Sequence, residues 1–191
     1  MEVTRTGIPG LLVFTPSPHP DPRGMFSRTF DAEVASGAGI DPHAFVQDSL
    51  SRSHRGVVRG LHVRVGDGEN KLVRCSSGAV LDVVVDLRPG SPSYLRWETF
   101  DLTGDNQVSV YVPAGCAHGF QALSEPADTS YRIDRPHDPA DDLTIAHDDP
   151  GLAIPWRLPV TLQSDADRDA PRLADVRDRL GEIRPWTGHQ H

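Results

Sequence analysis

A chain of 191 residues with 37% hydrophobic and 24% charged side chains supports one domain with a substantial core, and a formal net charge of −8 argues against a surface built for nucleic acid. Two cysteines, Cys75 and Cys116, exclude a disulfide scaffold and fit a reducing compartment. The start MEVTRTGIPG has no charged-then-apolar leader and no apolar run reaches membrane length, so the expectation is a soluble cytoplasmic protein, a single domain over 1–191, with no membrane partner.

Seventeen Gly and seventeen Pro imply many turns and favour an all-β architecture. GLLVFTP (10–16) reads as a strand; past a Pro-rich turn, RGMFSRTF ends in residues that look exposed, an edge of the kind a partner subunit commonly covers, so a dimer is expected. DAEVASGAGI (31–40) has the pattern of a short helix. Strands follow in HAFVQDSL (43–50), GVVRGLHVRV (56–65), KLVRCSS (71–77) and AVLDVVVDLRPG (79–90). They continue in LRWETFDL (95–102), QVSVYVPA (107–114), HGFQALSE (118–125) and TSYRIDRP (129–136). Turn signals such as GDGEN, TGDN and SEPAD separate them, which is the punctuation of a sandwich or barrel. In LDVVVDL, Leu81, Val83, Val85 and Leu87 alternate with Asp82, Val84 and Asp86, giving one apolar face and one face with carboxylates. PRLADVRDRL (171–180) places Leu173, Val176 and Leu180 on one helical face, within a C-terminal helix and tail over 165–191.

Lys71 is the only lysine beside eighteen arginines, nine residues after His62 on what reads as one hairpin. An arginine is a planar fork, whereas an ammonium meets a single oxygen, so a retained lysine points to a site. His62 in RGLHV and His118 in PAGCAHGF resemble the two metal-bearing strands of cupin barrels. Yet two residues after His62 stands Arg64, which cannot ligate, and Arg59, Arg64 and Lys71 together suit an anion. No metal is expected. His19, His43, His54, His189 and His191 stand in polar or terminal surroundings and read as solvated. A His base oriented by a carboxylate, from Asp82 or from SDADRDAP (164–171), beside a fixed cation is equipment for removing a proton next to a carbonyl. Tyr131, between Ser130 and Arg132 in a polar strand, is a phenol that packing explains less well than it explains Tyr94 or Tyr111.

DPRGMF, VVRGLH, KLVRCSSGAVLDVVVDLRPGSP, PAGCAHGF, DDPGLAIPW and LQSDADRDAP occur in the order and spacing of the dTDP-4-dehydrorhamnose 3,5-epimerase family, which this chain resembles from about Gly7 to Leu180. The resemblance implies a cupin-type jelly-roll β-sandwich or barrel with short helices, no metal and no cofactor, and a homodimer whose N-terminal strands, within 1–50, are exchanged. It implies a dTDP-4-keto-6-deoxyhexose as substrate, epimerised at C3 and/or C5. His62 would be the base, Asp167 its partner with Asp165 and Asp169 as rivals, Lys71 the cation at the enolate oxygen and Tyr131 the acid on the other face. Arg23, Phe26, Gln47, Ser49, Arg59, His118, His137 and Asp142 would contact substrate, with Asp82 behind His118. Arg28, Ser49, His137 and Asp142 depart from the family's usual Glu, Asn, Tyr and Glu, so inversion at C3 alone, as in antibiotic-sugar pathways, is the alternative. A metal-dependent cupin oxygenase and a non-catalytic sugar-binding cupin are the more distant ones.

Overall fold

The computed structural model describes residues 1–188, so His189 and His191 lie outside the described residues. Two antiparallel sheets face each other. The first contains β1 (Glu2–Arg5), β2 (Leu12–Thr15), β5 (Gln47–Ser53), β7 (Lys71–Ser77), β10 (Ser109–Val112) and β12 (Ala127–Ile133), in the order β1-β2-β10-β7-β12-β5. The second runs β13-β6-β11-β8-β9, from β6 (Val58–Arg64), β8 (Ala79–Asp86), β9 (Trp97–Thr103), β11 (Cys116–Ala122) and β13 (Asp142–Thr144). β3 (His19–Asp21) and β4 (Gly24–Phe26) form a separate two-stranded arm. The architecture is the expected cupin-type jelly roll with only short helices.

Strand alternation builds three apolar layers. Val73, Cys75, Val80, Val84, Val110 and Phe120 fill the space between the sheets. Leu61, Val63, Leu81, Val83 and Val85 point the other way, onto a C-terminal layer of Ile145, Ile154, Val176, Leu180 and Ile183. On the far side, α1 (Ala32–Gly37), capped by Asp31 through the Glu33 and Val34 amides, lays Ala35 against Leu12, Phe14 and Leu72. β8 is therefore buried on both faces. Its Asp82 and Asp86, expected on the face with carboxylates, are both fully buried. Arg88, Ser91 and Ser93 satisfy Asp86; burial pushes its carboxyl up, but these donors outweigh that and hold it below the usual range.

Three expectations are corrected. β6 and β7 do not form a hairpin: the Gly66–Asn70 connection crosses from one sheet to the other. Asn70 ties the far end of that crossing down, bonding Asp134 and the Ala114 amide. The segment 171–180 is not one helix but a 3-10 turn, Leu173–Asp175, followed by the single turn α3 (Arg177–Leu180). Asp149 takes the Leu173 amide at 2.8 Å, and Val176 adopts φ −118°, so the chain bends to bury Val176 and Leu180. Finally, HAFVQDSL does not begin the strand at residue 43; β5 begins at Gln47.

Candidate active site

The pleat of β6 sends Leu61 and Val63 into the outer core, which turns His62 and Arg64 toward the space between the sheets. His62 stands directly opposite His118 in the β6/β11 register. The backbones pass closely there: a Cβ on Gly60 would come within 2.7 Å of Gly119 Cα, and one on Gly119 within 2.7 Å of the Arg59 carbonyl. His62 Nε2 lies 2.6 Å from Asp167 Oδ1. Asp167 sits in α2 (Asp165–Arg168), whose N-cap Ser164 receives the Asp167 amide and turns that carboxylate inward. Its neighbours Asp165 and Asp169 face outward and pair with Arg168. Burial pushes the Asp167 carboxyl up, but bonds from His62, Ser164 and the Gly60 amide prevail and hold it below the ordinary range. An ionised carboxylate only accepts, so Nε2 carries the proton and Nδ1 is left as the basic nitrogen.

Lys71 approaches from the opposite sheet. It points inward with Val73 and Cys75, because Leu72 is taken by the outer layer. His62 and Lys71 line one cavity of about 350 Å³. Lys71 Nζ lies 2.9 Å from Glu69 Oε1, and Arg64 Nη1 lies 2.8 Å from Glu69 Oε2. Arg64 also reaches Asp142 at 3.4 Å, and Asp142 Oδ2 is 2.9 Å from His137 Nε2 at the rim. Arg64, read with Arg59 and Lys71 as suiting an anion, is thus matched by two carboxylates of the chain itself.

Tyr131 does not line this cavity but stands beside it, with its ring edge-to-face against His118 at a centroid distance of 6.2 Å. His118 Nε2 is 2.7 Å from Asp82 Oδ2. Tyr131 OH bonds Ser51 at 3.0 Å, and burial, aided by Asp82, pushes its phenol well above the usual value despite Ser51 and Arg59. Ser49 is its direct partner on β5, so Gln47, Ser49 and Ser51 share its face. Arg59, which does not line the cavity, is held by Ser53 and the Arg52 carbonyl. Arg23 and Phe26 are not brought to this cavity within the chain. They stand on the β3–β4 arm, where Arg23 pairs with Asp21 and Phe26 is 65% exposed. Arg28 pairs with Asp31 at the N-cap of α1.

Glu69 and Ser51 escaped the sequence reading. For Ser51 the available signal was its spacing two residues from Ser49, which on a strand means the same face, whereas Glu69 lies in the connection before β7 and carried no such signal. Among the described residues, no group of three or more His, Cys, Asp and Glu side chains is arranged to hold a metal ion.

Comparison with known proteins places the chain among relatives of one family. The sequence profile of dTDP-4-dehydrorhamnose 3,5-epimerases matches residues 5–175. A dTDP-4-dehydrorhamnose 3,5-epimerase of Pseudomonas aeruginosa is 40% identical over 92% of this chain and 98% of its own length. A dTDP-4-dehydrorhamnose 3-epimerase of Streptomyces niveus is 42% identical over 93% of this chain and 86% of its own. A crystal structure of a 3,5-epimerase from Legionella pneumophila in complex with dTDP-4-keto-L-rhamnose superposes with a TM-score of 0.90 at 36% identity, covering 97% of this chain and 98% of that one. The chain belongs to the dTDP-4-dehydrorhamnose 3,5-epimerase family.

Proposed function

We propose that this protein epimerises a dTDP-4-keto-6-deoxyhexose at C3, C5 or both, in deoxysugar biosynthesis, with no metal or cofactor. The observation that carries the reading is a carboxylate-oriented imidazole and an ammonium on opposite walls of one cavity. His62, with Nε2 held by Asp167, takes the proton from the carbon beside the C4 ketone through Nδ1. The electrons move into the carbonyl, and the resulting enolate oxygen is met by Lys71. Tyr131, kept protonated by its burial, returns a proton from the opposite face, so the carbon inverts. Solvent then removes the proton from His62 and replaces that of Tyr131. A positioned base contributes on the order of 10²–10⁴ in rate, and one fixed charge at the oxyanion about 3–4 kcal/mol.

Arg59, Gln47, Ser49 and His118 surround the sugar in this reading, while His137 and Asp142 at the rim meet the nucleotide. Arg23 and Phe26, which stand away from their own chain's cavity, act from the β3–β4 arm of a second subunit in a homodimer; of the N-terminal strands expected to be exchanged, β1 and β2 instead pair within their own chain. Two free buried cysteines, and no described helix long and apolar enough to cross a membrane, support a cytoplasmic setting.

A second reading, inversion at C3 alone, is favoured by the 42% identity to a 3-epimerase and by His137 at the rim. Both are tested by incubation with dTDP-4-keto-6-deoxyglucose in deuterated water, with NMR detection. Deuterium at C3 and C5 supports double inversion, deuterium at C3 alone the second reading, and no incorporation overturns both. In the same assay Tyr131→Phe continues to exchange deuterium while inversion falls about tenfold or more, because base and acid act on separate faces. Full-rate inversion by this variant overturns the role of Tyr131.

A further inference from the structure

We propose that Glu69 is the positioning residue of the active-site lysine, holding the Lys71 ammonium at the carbonyl end of the cavity, and that Arg64 is the counter-charge that makes this hold compatible with catalysis. The proposal rests on the epimerase reading for the purpose of the ammonium, but the clamp is testable without turnover.

The side chains of Glu69, Arg64 and Lys71 are only 6%, 9% and 13% exposed. A carboxylate so far from water is tolerated only when cations match it. Glu69 divides its oxygens between two, with Oε1 2.9 Å from Lys71 Nζ and Oε2 2.8 Å from Arg64 Nη1. A lysine side chain is a flexible four-carbon stem, so without a fixed partner its ammonium would sample much of the cavity. The ion pair with Glu69 selects one placement.

A lysine paired with a carboxylate alone would form a neutral unit with little attraction for a new negative oxygen. Arg64 changes that sum. Within the buried trio two cations face one carboxylate, and Asp142, which also meets Arg64 at 3.4 Å, is 46% exposed and screened by solvent, so the trio keeps positive charge available when the enolate forms. Arg64 is held independently by the Pro136 carbonyl at 2.9 Å. It stands on β6 while Lys71 stands on β7, so the clamp spans the two sheets beside His62.

The single lysine makes the test direct, because protein labelled with isotopic lysine gives one side-chain NMR signal from the untagged chain. Glu69→Gln preserves shape and removes the charge, leaving the ammonium beside an unopposed guanidinium. The Lys71 titration midpoint is expected to move to lower pH than in the parent, since a like charge disfavours the charged form. Turnover is expected to fall about 10- to 100-fold with KM changed much less, the signature of a misplaced group rather than lost binding. Arg64→Gln combined with Glu69→Gln removes the repulsion, so the midpoint returns toward that of the parent and part of the turnover is recovered. His62 and the His137–Asp142 pair, the other charged groups of the cavity, are present in both variants. An unmoved midpoint in Glu69→Gln, or equal losses in single and double variants, overturns the proposal. Should Glu69→Gln fail to fold, Glu69→Asp, which keeps the charge but shortens the reach, is expected to lose turnover without moving the midpoint; parental turnover overturns the proposal. Absence of turnover in the parent would sink the epimerase reading and leave the NMR test of the clamp intact.

Discussion

Lys71 and Asp167 differ in how much of their placement could be read from the chain. Lys71 is conspicuous because every other basic residue apart from the histidines is arginine. Asp167 is one of three aspartates in SDADRDAP, and only the family resemblance, not their residue types, singles it out. The local helix separates them: Ser164 caps it and Asp167 turns inward, while Arg168 draws Asp165 and Asp169 to the outside. Lys71→Arg is expected to reduce turnover by about 100-fold while dTDP binding by calorimetry stays close to parental, because a planar fork cannot sit where an ammonium meets one oxygen. It would also set two guanidiniums against Glu69. Near-parental turnover would show that charge alone, and not its shape, is required.

Among the elements, β6 and β11 carry the geometry on which the site depends. The glycines of RGLH and HGF are legible as motif residues, but their purpose is visible only where the two strands meet. Gly119→Ala would push its new Cβ to 2.7 Å from the Arg59 carbonyl and 3.0 Å from Leu61. Overpacking of this kind costs about 1–3 kcal/mol, so denaturant melts should show a stability loss in that range, accompanied by reduced turnover as His62 moves away from Asp167. Unchanged melts would mean the strands separate freely. Strand alternation was readable throughout β7 and β8, whereas the supposed β6/β7 hairpin was not real. A short glycine-containing connection joins strands of one sheet or of two facing sheets equally well, and only pairing partners distant in sequence choose between these. The C-terminal segment shows the same limit: its helical periodicity is genuine, but Asp149 and the outer core bend it.

At the scale of the whole molecule, apolar side chains remain exposed on the β3–β4 arm, at Met25 (51%) and Phe26 (65%). Others lie on or next to the edge strand β5, at Leu50 (62%) and Val46 (60%). Clusters of this kind beside an unpaired strand edge are surfaces that another chain covers. Sedimentation is expected to give twice the 20.8 kDa chain mass, and Phe26→Asp to shift the protein toward single chains with loss of turnover. A monomer with full activity would place Arg23 and Phe26 outside the chemistry. What the amino-acid order determined by itself was the all-β class, the inward and outward faces of strands and the chemical inventory of His62, Lys71 and Tyr131, because those follow from a two-residue period and from residue types. Tertiary structure alone decided that His62 and Lys71 line one cavity from different sheets, how the Ser164-capped turn aims Asp167 at the imidazole, and that Glu69 pairs with the lysine, because each depends on contacts between segments whose spacing in the chain carries no record of their meeting.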